Sequence, residues 1–596
     1  MDTPSHNDSL SPRSIPDRFV YIALFALMCV VVALAWPGLK SPPFLDDLDH
    51  AAHVSNFSGW KETLGTDCFG LFRPFKNFVY YGFHRFGTPP PLLWHCLPLG
   101  LYLGAVASVF TLARRLTSSS VCGLAAAALW ALSANQTTTV IWMACFNISL
   151  SVILVCLAVI LYDRSWDSDR PWRVCLPACL VVSFLALISY ETSLCIAPVC
   201  VALDALRKRR IFSKPAITRY VALGAVTVGF LVMRVTVGGV TNANYNNFSF
   251  DPEMPLWQLS VSAPWLMWRH FSMWFFPFGR VEFMSTYVWG KSASMLDLAA
   301  AWGFFLLLGT TWLITLRRLP LFAFGIAWFF LASFPSSNFV PLRSGPIEDY
   351  YVVVPGVGLA LAVVAVLRAA FQRTATPQDA SSAIGHKKLA ATCLAGSLVV
   401  LKLAGVPLFW HQATLWNDPL RLYLYAAYDR PAQFQQKNLA ARELIYRGDF
   451  VTAKTLVDES LADGPWYTIN YLLLGEIAIR SGDYKAAAEY FDRSQSMADS
   501  SVRFREFIHI RRAKILVASG KLAEARDLLL PLLQHTEREQ HYPATLMLAD
   551  IYHQQGNQEK ARQTLERSAT IHPERLQEIQ QVILQLPAQS SATPNR

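Results

Sequence analysis

Charge is what this sequence has least of. Asp, Glu, Lys and Arg make up 16% of its 596 residues, while 53% are hydrophobic and 18 are Trp. Soluble domains carry about a quarter charged residues. That gap excludes an ordinary soluble chain and points to a polytopic membrane protein. Cysteine motifs are lacking as well. The eleven Cys include no CxxC pair and no Cys/His metal spacing. Seven of them (Cys29, Cys122, Cys145, Cys156, Cys179, Cys195 and Cys200) lie inside apolar segments, where cysteine is a small buried residue. Cys68 lies in a polar loop with no obvious partner. No glycine-rich nucleotide loop is present. No small-residue cleavage site follows the first apolar segment; Pro42-Pro43 follows instead, so a cleaved signal peptide is not expected.

What is abundant is long apolar sequence. Eleven segments read as spans: 19–36, 92–112, 121–133, 139–161, 174–188, 193–206, 220–237, 296–316, 319–334, 350–367 and 389–409. A spanning helix needs about twenty apolar residues, so the ends of the shorter ones extend by a few residues. The aromatic stretch 265–278 reads as an interfacial or re-entrant helix. The net charge of +10 is no nucleic-acid signature, because Lys and Arg sit in short clusters between spans. Arg13 and Arg18, Arg114-Arg115, Arg164 with Arg170 and Arg173, Arg207-Lys208-Arg209-Arg210, Arg317-Arg318, and Arg368 with Arg373, Lys387 and Lys388 all fall on one side of an eleven-span chain. That side is cytoplasmic by the positive-inside rule. The tail 1–18 is then cytoplasmic. The loop 37–91 and everything after Phe409 face the other way, in a bacterial inner membrane or endoplasmic reticulum.

Beyond about Pro431 the apolar runs stop. Four turns share one pattern: Gly448-Asp449-Phe450 with Ala453, Gly482-Asp483-Tyr484 with Ala487, Gly520-Lys521-Leu522 with Ala525, and Gly556-Asn557-Gln558 with Ala561. The glycines stand 34, 38 and 36 residues apart. A period near 34 with a small residue one turn past the glycine is the pattern of tetratricopeptide repeats. The predicted fold is all-α: a membrane bundle over 19–410, a linker over 411–430, an α-solenoid of repeats over 431–585, and a disordered Ser/Pro/Gln-rich tail over 586–596.

One stretch stands out in the first loop, Phe44-Leu45-Asp46-Asp47-Leu48-Asp49-His50. Carboxylates crowded at a membrane surface are costly unless they bind a cation, hold a proton or orient a nucleophile. A solvated helix cap is the plain alternative. The same loop carries Arg73-Pro74 and ends at Trp94-His95. Polar residues recur at other outward helix ends: Asn135-Gln136-Thr137, Tyr190-Glu191, Arg234, and Arg343 with Glu348, Asp349 and Tyr350. Their gathering at one face makes them site candidates together.

In order along the chain, Asp46-Asp47, Arg73-Pro74, Trp94-His95, Tyr190-Glu191, Phe334-Pro335-Ser336-Ser337-Asn338 and Glu348-Asp349-Tyr350-Tyr351-Val352-Val353-Val354-Pro355 form a recognisable series. The chain resembles membrane glycosyltransferases of the C superfamily. It looks closest to the transmembrane and tetratricopeptide-repeat-containing protein O-mannosyltransferases and their bacterial relatives, over roughly residues 19–580. The resemblance implies transfer of a sugar such as mannose from a polyprenyl phosphate to an extracytoplasmic hydroxyl, with inversion. It implies Asp46 as general base, with Asp47 or Asp49 in support or holding a cation. Donor or substrate contacts would come from Arg73, His95, Glu191, Arg234, Arg343, Glu348 and Tyr350. The resemblance fixes no cofactor; Mg²⁺ or Mn²⁺ on Asp46, Asp47 and Asp49 is an option. The repeats would take an acceptor protein or peptide; the other partners are membrane lipids, and no nucleic acid. Two positions depart from the family pattern. Tyr190 stands where a basic residue usually precedes the glutamate, and Asp349 where an arginine usually follows Glu348. A non-catalytic scaffold binding proteins through its repeats is the alternative reading.

Overall fold

The structure, a computed structural model, describes residues 16–55, 57–87, 90–167, 172–238, 254–276, 283–339, 345–374, 382–428, 432–497, 502–534, 541–572 and 576–585. Arg343 and the tail after 585 lie outside these residues. Among the described residues every regular element is helical and there is no strand. Seven helices are long and apolar enough to cross a membrane: Asp17–Lys40, Pro91–Thr117, Met143–Arg164, Lys214–Val237, Met295–Thr315, Asp349–Phe371 and Thr392–Leu415. Shorter apolar helices, Ser120–Ala131, Trp172–Leu187 and Pro320–Ser336, lie among them. Each of the eleven segments read from the sequence lies largely on a helix, with 139–161 divided between two. The stretch 265–278 falls largely in a helix, Leu256–Phe275.

The bundle is sorted as a lipid-embedded protein should be. The 353–374 helix is buried from Val353 through Ala365, and it meets the Pro320–Ser333 helix where a Cβ on either Gly325 or Gly358 would run into the other's backbone. Small residues let two membrane helices approach to backbone distance. The Met295–Thr315 helix instead exposes Leu306, Leu307 and Leu313. An apolar face of that kind suits lipid, not water.

The two ends of the bundle differ. At one end basic residues close on buried carboxylates. Arg115, Arg207 and Arg209 reach Asp163 at 2.7, 2.9 and 2.7 Å, and Arg209 also reaches Asp204 at 3.0 Å. At the other end helices start or stop through short 3₁₀ turns: Trp36–Lys40, Ala134–Gln136, Met143–Cys145, Glu191–Cys195, Phe334–Ser336 and Asp349–Val352. Such turns release backbone groups and re-aim side chains at helix termini. They also break the span expected at 139–161: Trp142 is extended between Thr137–Ile141 and Met143–Cys145, and the long helix starts at Phe146. The sequence pattern missed this because Val140, Ile141 and Trp142 are as apolar as the helix that follows.

The stretch expected as a linker is helical. The 382–415 helix runs on to the Pro419–Tyr428 helix, which packs against the first repeat. Four helix pairs follow, beginning with Phe434–Arg447 and Phe450–Asp463 and ending with His541–Gln554 and Gln558–Ile571. Gly448, Gly482, Gly520 and Gly556 have φ of 84°, 77°, 74° and 74°, the left-handed turn that glycine adopts without strain. Ala453, Ala487, Ala525 and Ala561 are fully buried one turn on.

Candidate functional site

The first loop folds into a small cap from the Asp46–Ser55 helix, the Trp60–Leu64 turn and the Pro74–Phe86 helix. Leu45 precedes the first helix at φ 56°, a conformation that non-glycine residues rarely hold. This bend turns the Asp46–Ser55 helix back toward the bundle. Asp47 is buried and its Oδ1 accepts from the Tyr80 hydroxyl at 2.7 Å. Backbone groups of Ala144 and Phe44 also bond its carboxylate. Burial raises its pKa to about 7, against the pull of Tyr80, Ala144 and Lys76. Asp46 keeps part of its surface open. Burial raises it to about 7 as well; Lys76 pulls it down, and Asp49, Asp47 and Asp67 push it up.

Arg73 ends the turn before the Pro74–Phe86 helix. Its Nε and Nη2 donate to Glu191 Oε2 at 3.2 and 2.9 Å, and its guanidinium lies 5.3 Å from the centre of the Tyr190 ring. Arg234 approaches Glu191 Oε1 at 3.7 Å. Burial would raise Glu191, but Arg73 and Arg234 hold its carboxyl below the usual range. Two guanidinium groups on one carboxylate leave a net positive cluster, and bidentate arginine is the usual partner of phosphate oxygens. Glu348 is buried and accepts from the Met284 amide at 2.9 Å. Asp349 accepts from the Thr138 hydroxyl at 3.2 Å, and its carbonyl from Asn135 at 3.4 Å. One element joins the two clusters: Arg73, at the start of the Pro74–Phe86 helix, bonds Glu191, and Tyr80, two turns along that helix, bonds Asp47. The carboxylate pair and the arginine cluster thus border one region at one end of the bundle.

His95 has a different place from the one expected. Its Nδ1 lies 2.6 Å from the Ile141 carbonyl, and its Nε2 lies 3.0 and 3.1 Å from the Ser41 carbonyl and hydroxyl. Both nitrogens brace the loop against the bundle. Among the described residues no three His, Cys, Asp or Glu side chains are grouped to hold a metal ion, and Asp47 accepts from Tyr80 and from backbone donors.

Lys76, Tyr80 and Asp67 escaped the sequence reading. Lys76 is only 3% exposed, and among the described residues it forms no ion pair within 4.0 Å. It stands four residues before Tyr80 on one helix, so both side chains share a face. The signal was available: Pro74 marks the helix start, and Lys76, Asn77 and Tyr80 make a polar stripe on an otherwise aromatic segment. Asp67 Oδ1 takes the amides of Phe69 and Leu71 at 3.0 and 2.8 Å and shapes the turn that delivers Arg73. His50 packs on Tyr80 and Phe69, and the Cys68 thiol meets its Nδ1 at 3.2 Å. Burial pushes that thiol well above its ordinary range.

Fold and site together define a helical protein built to span a membrane several times and to carry a repeat domain at the end where its polar residues gather. The tetratricopeptide repeat family matches residues 438–501 and 516–586. Among solved structures the chain is similar to ArnT from Cupriavidus metallidurans bound to undecaprenyl phosphate, at 16% identity over 80% of each chain with a TM-score of 0.32. It is similar to yeast Tom70 at 12% identity, over 81% of this chain and 97% of that one, with a TM-score of 0.22. Overlaps this loose carry no argument about function. No curated protein matches the chain.

Proposed function

We propose that this protein is a membrane glycosyltransferase that moves a sugar from a polyprenyl-phosphate carrier to a hydroxyl of an acceptor protein or peptide. The observation that carries the reading is a part-open carboxylate, Asp46, raised to about 7, at the edge of the region that the Arg73–Glu191–Arg234 cluster also borders. A general base works best with a pKa near the working pH. In the proposed step the acceptor oxygen attacks the anomeric carbon while the bond from that carbon to the phosphate oxygen breaks. Asp46 takes the hydroxyl proton, and the carrier phosphate leaves with the electron pair. Attack opposite the leaving group inverts the anomeric centre. Arg73 and Arg234 face the phosphate, and their shared positive charge stands in for the basic residue that Tyr190 replaces. Mannose is the sugar that the family resemblance suggests. The repeats hold the acceptor.

The test is turnover. Purified protein in lipid nanodiscs is supplied with polyprenyl-phosphate mannose, then with other polyprenyl-phosphate sugars, and release of the carrier phosphate is followed with and without acceptor peptides. No release from any such donor would sink the enzyme reading. It would leave the second reading, a membrane-anchored scaffold, which the four repeats favour because stacked repeats make an extended concave surface for peptides.

A further inference from the structure

The segment 283–292 lies between the Leu256–Phe275 and Met295–Thr315 helices and touches both the site and the repeats. Its Met284 amide donates to Glu348 Oε2 at 2.9 Å. On its other side stands Gln436, on the first helix of the first repeat and 1% exposed. The two hydrogens of Gln436 Nε2 go to two successive carbonyls, Phe283 at 2.6 Å and Met284 at 2.7 Å. Four more bonds tie the segment to the same repeat, one of them from Lys291 to Asp463 Oδ1 at 3.2 Å. The Thr286 amide donates to Gln433 Oε1 at 3.2 Å, its hydroxyl to the Ala432 carbonyl, and Lys291 to the Ala462 carbonyl at 2.9 Å. Phe283 is buried between Trp142, Trp416 and Tyr423. Met284 itself sits at φ 48°. A methionine holds that left-handed conformation only where its surroundings over-determine it.

We infer that Gln436 is a positioning residue for the site: by clamping the carbonyls of Phe283 and Met284 it holds the Met284 amide on Glu348, so the first repeat is part of the frame of the membrane site. The repeats then do more than collect an acceptor. Whatever displaces the first repeat moves a bond to Glu348. The part of this inference that concerns turnover rests on the glycosyltransferase reading; the clamp itself does not.

Gln436→Met tests it in the full chain in nanodiscs, because methionine keeps the length and removes both donors. Two buried bonds are lost, so amide hydrogen exchange across 283–292 is expected to quicken by about tenfold or more. Leu565→Ala is the control: it loosens the last repeat and is expected to leave that segment unchanged. Lys291→Met, at an exposed side chain, gives a smaller quickening of the same segment and replaces Gln436→Met if that variant does not fold. Acceptor-independent release of carrier phosphate is expected to fall about tenfold in Gln436→Met with the acceptor KM unchanged, and to fall no further when Gln436→Met is added to Glu348→Ala. Unchanged exchange in Gln436→Met, or equal quickening in Leu565→Ala, overturns the clamp. Full additivity with Glu348→Ala overturns the route through Glu348. If the wild-type protein turns over no donor, the function reading fails, and the exchange comparison still decides the clamp.

Discussion

Lys76 offers the sharpest test of the charge balance at the carboxylate pair. It is the strongest lowering influence on Asp46, while burial and three neighbouring carboxylates act the other way. Lys76→Met keeps the apolar stem and removes the charge. A nearby opposite charge lowers a carboxyl by about 1–3 pH units. Solvent reaching the open side of Asp46 reduces this, so the acid limb of the pH–rate profile is expected to rise by about one pH unit or more. The sign follows from the chemistry. A general base acts when ionised; with its pKa at about 7, the wild-type rate falls as pH drops through 7, by about tenfold per pH unit well below it. Without Lys76 the carboxyl holds its proton to higher pH, so the variant is slow at pH 7 and recovers toward pH 9. Lys76→Arg keeps the charge and leaves the limb in place. The assay is carrier-phosphate release in nanodiscs between pH 5 and 9. Asp46 and Asp47 are neighbours, so the limb belongs to the pair. A Lys76→Met limb that coincides with wild type would show that this charge does not reach the base, and the assignment of Asp46 would go with it.

Asp46→Asn keeps shape and helix-capping ability but not basicity, so transfer should fall about 10²–10⁴-fold with donor binding retained; near-normal transfer at equal protein level would move the assignment to Asp47. Tyr80→Phe removes a bond that holds Asp47 down, so the acid limb should rise modestly; an unmoved limb would take Asp47 out of the rate-determining pair. Arg73→Lys cannot reproduce the two bonds from Nε and Nη2 to Glu191, and carrier release should drop by about tenfold or more; full activity would make Arg73 a packing residue. A cysteine introduced in the repeats should react with a membrane-impermeant reagent in intact cells, and labelling only after lysis would reverse the orientation.

Much of the fold was legible because two periodicities dominate the sequence. Long apolar runs marked most helices of the bundle, and four glycines near a 34-residue period marked the repeats. The helix starts were less legible. A 3₁₀ turn at Met143–Cys145 has no compositional signature, and its effect is tertiary: it presents Ala144 to Asp47. The same holds for the site. Asp46, Asp47, Arg73 and Glu191 announced themselves as ionisable residues at helix ends. His95 did so too, yet the geometry puts it among backbone carbonyls. Lys76 went unread because a lysine one turn into an amphipathic helix is usually solvated; only the tertiary fold buries it.

The two departures from the family pattern look different once the side chains are placed. A basic residue before Glu191 would bring positive charge to the arginine cluster. Here Tyr190 brings a ring instead, and Arg73 lies over it while bonding Glu191. Arg234 comes from a separate helix to the other carboxylate oxygen. Charge is therefore present at that position, supplied from two distant parts of the chain. At the second departure, Asp349 stands where the family that the chain resembles usually has an arginine, and its carboxylate turns toward the Thr138 hydroxyl while the Asn135 amide reaches its carbonyl. Asn135 and Thr138 belong to the polar loop between the third and fourth spans. In a buried setting an aspartate needs such donors. Tyr190 brings no charge that needs a partner, and the Asp349 carboxylate keeps a hydroxyl donor, so neither substitution argues that the site has decayed.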